Sequence, residues 1–300
     1  KATASKRKRN DMTDERRNAG AMFALLLTAA IWGSAFVFQK FAADELSASF
    51  IVAARFSAAG VITALATIKK WHRIDRGYLL GGLATGITMS LGTWLQTAAM
   101  TFGTSPGKSA FLTAAYCVIV PFLYWLVRGE KPRANHLLSA VICLVGIGLI
   151  SLNGEGGVTF GDGITLVCSV VFAANIVSIS IFCEGRDPML LTMLQICVAA
   201  LCGWVGILIF GGMPEHISMG AAGNVLYLAL FSTALCLSLQ SIGLKYTNPT
   251  VGTILLSLES VFGVLFSILL YGETVTLRMA VGFAVVFAAV LLAQFRFEKK

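Results

Sequence analysis

Two ionisable side chains stand inside long apolar stretches of this 300-residue sequence: Arg55, within 46–68, and Glu259, within 249–271. A charge at mid-membrane costs about 2.5–3.5 kcal/mol on the insertion scale, so such residues face a cavity or a partner. At a helical rise of ~1.5 Å per residue, Arg55 lies ~12 Å in from one membrane edge and Glu259 ~15 Å in from the other. Opposite sign and matching depth predict a coupled pair on a cavity wall. Only Glu259 can change protonation in practice, so proton coupling, or release of a cationic solute, falls to it.

Uncharged polar residues recur at helical spacing beside this pair. Thr28, Trp32, Ala35 and Gln39 form one stripe, Ser109, Thr113 and Tyr116 a second, and Cys168, Phe172, Asn175 and Ile179 a third. Buried Trp and Tyr need partners for N–H and O–H. Trp32, Tyr116 and Asn175 are therefore expected to line a water-filled cavity, although helix–helix hydrogen bonds would serve them equally. Gln96 and Gln240 fall near opposite membrane surfaces, as gates or, more simply, as interhelical hydrogen-bonding residues. Gly82 and Gly86 make a close-packing GxxxG, Pro121 is expected to kink its helix, and Lys108 can snorkel to water.

No catalytic set accompanies these residues, so the chain is not read as an enzyme. His72, His136 and His216 lie in expected loops, and the seven cysteines sit mostly in apolar runs with no CxxC and no metal-ligand spacing. The stretch from Gly103 to Ser109 approaches a phosphate-binding loop. Its first required glycine is Phe102, however, and no strand precedes it. No cofactor and no metal are expected, and any driving force must come from gradients.

The elements that must position these groups are transmembrane helices. The chain is 57% hydrophobic and 13% charged, against about 25% charged residues in an ordinary soluble domain, and its mean hydropathy is +0.80. Apolar segments run at 20–40, 46–68, 77–100, 105–127, 135–152, 163–183, 189–211, 220–244, 249–271 and 277–296, ten in all. The first is too long for a signal-peptide core. Residues 1–19 form a basic tail expected to be disordered and cytoplasmic. With the amino terminus inside, 19 of the 23 Lys and Arg residues fall on the cytoplasmic side. Both termini are then cytoplasmic, and the net charge of +8 needs no nucleic acid or other acidic partner.

The chain also repeats itself. Pro106 and Pro249 are 143 positions apart, and so are Glu130 and Glu273. Gln96 matches Gln240 with a one-residue slip, Trp32-Gly33-Ser34 aligns with Phe172-Ala173-Ala174, and Arg55 falls on Gln195. The expected organisation is two five-helix units, 20–152 and 163–296. Five is odd, so the second must enter the membrane from the opposite side, an inverted repeat of the kind found in secondary transporters. Helices 1–4 and 6–9 are expected to enclose the cavity, with the nonpolar helices 5 and 10 outside it.

These motifs resemble the EamA-type, ten-helix branch of the drug/metabolite transporter superfamily. The resemblance rests on Ile31-Trp32-Gly33-Ser34, Ala54-Arg55-Phe56, Leu95-Gln96-Thr97 and Phe111-Leu112-Thr113 through Pro121. The second half adds Leu239-Gln240-Ser241, Leu256-Ser257-Leu258-Glu259 and Gly272-Glu273. It departs where the family often has Pro after the helix-nine Glu; here Ser260 stands. The resemblance implies a multi-pass inner-membrane exporter of small metabolites, amino acids or drugs, working by alternating access around a cavity between the halves. The partners expected are a small organic solute and the lipid bilayer. A passive channel or facilitator, or a membrane-embedded receptor or scaffold, are the rival readings.

Overall fold

The computed structural model describes residues 2–129, 131–151, 159–246 and 255–294. Among them are ten helices and no strand: α1 (Ala2–Ala43), α2 (Ala48–Thr67), α3 (Arg76–Thr101), α4 (Pro106–Arg128), α5 (Ala134–Ser151), α6 (Phe160–Phe182), α7 (Pro188–Phe210), α8 (Met219–Leu244), α9 (Leu255–Tyr271) and α10 (Leu277–Gln294). Six helical stretches, in α1, α2, α4, α6, α7 and α8, are long and apolar enough to cross a membrane by length and composition. Helix starts carry side-chain caps: Ser47, Asp75, Ser105, Thr159, Asp187 and Ser218 each accept from a backbone N–H of the first turn. Helix α1 runs from Ala2. Its residues there include Ala, Lys, Arg and Glu, all good helix formers, and no Gly or Pro occurs before Gly20.

Packing follows a two-fold pattern. Adding five to each label maps the main contacts onto one another. Helix α3 packs on α6 as α8 packs on α1, α3 on α7 as α8 on α2, and α4 on α6 as α9 on α1. Three further pairs, α2 with α7, α4 with α9 and α5 with α10, map onto themselves. Small residues permit these approaches. A Cβ on Gly82 would come within 2.7 Å of Leu194 Cβ on α7, and one on Gly282 of α10 within 2.8 Å of Ile150 on α5. The α5–α10 pair meets the rest mainly through α4, where Phe111 stacks on Phe283 at 4.5 Å.

Helix α4 breaks at Ala115, between Pro106–Ala114 and Tyr116–Arg128, and α9 turns at Leu258 just before Glu259. Ala115 and Leu258 are also 143 apart. Pro121 lies inside the second piece of α4, six residues beyond the break, and α9 breaks with Ser260 in place of the expected proline. The interruption therefore belongs to the repeat and not to proline.

Connections gather at two ends. At one end Ser47 Oγ donates to the Gly212 carbonyl at 2.7 Å, Gly161 N–H to that of Phe102 at 3.3 Å, and Ser105 bonds Glu273. At the other, Lys70 pairs with Asp187 at 2.7 Å, Arg128 with Glu184 at 3.0 Å and Arg186 with Asp75 at 3.9 Å. We call these the clasp end and the basic end.

Candidate functional site

Between the halves lies a cavity of about 170 Å³. Helices α1, α2, α3, α4, α6, α8 and α9 supply its walls. Neither α5 nor α10 reaches it, and neither does α7, which had been expected to contribute. Helix α7 is wedged instead between α2 and α3. A Cβ on its Gly203 would come within 2.7 Å of the Ala53 Cα, leaving that face no room to line water.

All seven residues singled out from the sequence (Trp32, Arg55, Gln96, Tyr116, Asn175, Gln240 and Glu259) touch this one cavity. Their bonds differ. Arg55, 7% exposed, donates Nη1 to Gln39 Oε1 at 3.1 Å, Nη2 to Ser232 Oγ at 3.2 Å and to Thr233 Oγ1 at 3.0 Å, and Nε to Thr233 Oγ1 at 3.2 Å. Its guanidinium also sits over the Phe56 ring at 5.3 Å. Glu259, likewise 7% exposed, accepts from Tyr116 Oη at 3.1 Å.

The expected Arg55–Glu259 pair is therefore absent among the described residues. The reason is positional. Arg55 stands where α2 meets α8, and neutral oxygens from α1 and α8 satisfy it there. Glu259 stands where α9 meets α4, beside Tyr116. Two charges of opposite sign thus face one cavity, each held by uncharged partners.

The backbone of α8 helps build the Arg55 side. Residues Leu228–Leu235 form a π-helical segment, a feature frequent at functional sites. Within it Thr233 Oγ1 reaches back to the Leu228 carbonyl at 2.9 Å, and the Ser232 carbonyl accepts from Trp32 Nε1 at 2.8 Å.

Toward the clasp end a polar layer joins α1, α3 and α4. Gln39 Nε2 donates to Gln96 Oε1 at 3.2 Å and to Thr97 Oγ1 at 2.9 Å, and Gln96 Nε2 donates to Thr113 Oγ1 at 3.2 Å. Gln96 is thus both a cavity residue and an interhelical bridge. Asn175 binds the Thr85 carbonyl at 2.7 Å and Thr88 Oγ1 at 2.9 Å. Thr28 and Cys168, from the predicted stripes, are buried against neighbouring helices and do not reach the cavity.

Three residues that matter to this geometry were not marked in the sequence: Ser232, Thr233 and Thr93. An uncharged hydroxyl in an apolar helix ordinarily bonds its own backbone, so type and spacing carried no signal for them. Among the described residues no cluster of three His, Cys, Asp or Glu side chains suits a metal ion.

Comparison with known proteins follows the same outline. The EamA-like transporter family matches the chain twice, over residues 19–152 and 159–295. An uncharacterized transporter of Archaeoglobus fulgidus is 28% identical over 276 residues, spanning 92% of this chain and 86% of that protein. The uncharacterized inner membrane transporter YedA of Escherichia coli K12 is 23% identical over 284 residues, spanning 91% of this chain and 89% of YedA. A protein of known crystal structure superimposes with a TM-score of 0.65 at 14% identity, over 92% of this chain and 96% of the other. With apolar helices of spanning length and a family match that covers both halves, this chain is a multi-pass membrane protein that belongs to the EamA-like transporter family.

Proposed function

We propose that this protein is a secondary carrier that moves a small organic solute by alternating access, with two inverted five-helix halves and the basic end in the cytoplasm. The observation that supports this best is the Tyr116–Glu259 bond. The two residues are 143 positions apart, the offset of the repeat, and each directly follows a break in its helix. Repeat-related positions that touch each other lie on the axis relating the halves, and interrupted helices at mid-depth are where secondary transporters bind solute. An inverted pair can exchange conformations around such an axis.

The unpaired charges point to the solute. A carboxylate would complement Arg55, and an ammonium would complement Glu259, so an amino acid satisfies both walls and a cationic drug satisfies one. The expected direction is outward, as the family resemblance implies. The Lys and Arg residues of the α2–α3, α4–α5 and α6–α7 connections support a basic end on the inside.

The test is counterflow in proteoliposomes with a panel of amino acids. Saturable exchange is expected, and Glu259→Gln should slow it by about tenfold or more, the worth of one charged hydrogen bond. Flux that rises linearly with concentration would mark a channel. Normal exchange by a well-folded Glu259→Gln protein would remove Glu259 from the site. For orientation, an impermeant thiol reagent applied outside intact cells should reach a cysteine placed at Thr159 and miss one at Arg73.

A further inference from the structure

One carboxylate outside the cavity ties the two halves together. Glu273, in the α9–α10 connection, accepts from Ser105 Oγ, from the Gly107 N–H at 3.0 Å and from Ser267 Oγ. Ser105 is the N-cap of α4 and Gly107 lies in its first turn, so a second-half anion sits on the amino terminus of a first-half helix. Unpaired N–H groups and the helix dipole both favour an anion there. Gly107 makes the approach feasible, because a Cβ at that position would come within 2.7 Å of Glu273 Oε2. Ser267 begins a π-helical turn, Ser267–Tyr271, whose first carbonyl also accepts from the Glu273 N–H at 3.2 Å.

We propose that Glu273 is a latch that closes the clasp end of the cavity. Helices α4 and α9 carry Thr113, Tyr116 and Glu259 on the cavity wall, and the latch binds the same two helices about 12 Å farther along from Thr113. Opening the cavity toward the clasp end separates α4 from α9 there, which breaks the two hydrogen bonds that Ser105 and Gly107 give to the carboxylate. The near-phosphate loop at Gly103–Ser109 takes on a purpose in this setting: its Gly107 N–H and Ser105 hydroxyl hold an anion from the chain itself. The repeat offset pairs Glu273 with Glu130, Ser105 with Asn248 and Gly107 with Thr250. The sequence of the second copy thus has Thr250 where the first has Gly107.

The latch rests on the carrier reading, and one experiment separates their failures. A thiol is introduced at Ala35, a buried cavity residue, and an impermeant maleimide is applied from each side of reconstituted vesicles. The unaltered latch should protect the thiol from the clasp side. Glu273→Ala should speed clasp-side labelling by about tenfold, the effect of losing one charged hydrogen bond. Gly107→Ala should do the same by pushing the carboxylate away. Arg278→Ala, an exposed change in the first turn of α10, should leave the rate unaltered. If Glu273→Ala fails to fold, the isosteric Glu273→Gln is read in its place. Clasp-side protection that persists in the folded Glu273 and Gly107 variants would overturn the latch and leave the carrier reading intact. Equal labelling from both sides with the latch unaltered would overturn the carrier reading.

Discussion

The two ends of the helix bundle are tied in different ways. At the clasp end one tie is fully buried and reaches a backbone donor. Asp162, fully buried, accepts from Thr104 Oγ1 at 3.0 Å, from the Thr159 N–H at 3.2 Å and from Lys108 Nζ at 3.3 Å, where the Lys108 side chain is 12% exposed. Glu273 repeats the arrangement on the first turn of α4. At the basic end the ties include ion pairs in each of which at least one partner is exposed. In Arg128–Glu184 the two partners are 39% and 74% exposed. Exposed pairs are worth at most about 1 kcal/mol, whereas removing one partner of a buried pair costs about 3–5 kcal/mol. The described ties therefore hold one end firmly and the other loosely. In a carrier this is how a state closed on one side is built, and turnover must break the firm end.

The largest expected effect tests that contrast directly. Asp162→Ala should cost about 3 kcal/mol or more, because Lys108 is left as a nearly buried cation and two donors lose their acceptor. Unfolding of the detergent-solubilised protein would measure it. Asp162→Asn should cost less, since the amide oxygen can still accept from one of the two donors, Thr104 Oγ1 or the Thr159 N–H, which reach different carboxylate oxygens. A loss below 1 kcal/mol in the alanine variant would erase the difference between the ends.

Much of this site was legible before the fold was known, and particular residues explain where reading stopped. Arg55 and Glu259 stood out because hydrophobic sequence makes a charge conspicuous. Tyr116 and Asn175 followed from spacing, and the offset of 143 picked out matched positions on α4 and α9. The partners of Arg55 did not follow. Depth along a helix is readable from sequence, but rotation about its axis is set by packing. Arg55 and Glu259 accordingly share a cavity without sharing a bond. Ser232 and Thr233 were hidden because the π-helical segment of α8 shifts their facing by a fraction of a turn. Glu273 was noticed as punctuation of the repeat, and its role needed the spatial approach of Gly107.

The smallest expected effect lies at the basic end, in the Lys70–Asp187 pair. Asp187 caps α7, with Oδ1 accepting from the Met189 N–H at 3.0 Å and Oδ2 taking Lys70 Nζ at 2.7 Å. Partial burial pushes its carboxyl up. The hydrogen bond and charge of Lys70 outweigh that, aided by the Met189 and Leu190 N–H groups, and hold Asp187 below its ordinary value. A depressed carboxyl adds stability that is fully present above the unfolded value of ~3.9 and is lost as pH falls through the folded value. The Lys70 side chain is 42% exposed, so Lys70→Ala should cost no more than about 1 kcal/mol at pH 7, and less in high salt. Between pH 7 and pH 5 the parent protein and Lys70→Ala should change stability in parallel. Below about pH 4 their unfolding curves should converge, because the proton that neutralises Asp187 also removes what Lys70 contributes. A gap that stays constant into acid would mean that Lys70 acts through its packed stem and not through its charge, and the basic end would then be held by apolar contact like the helices beneath it.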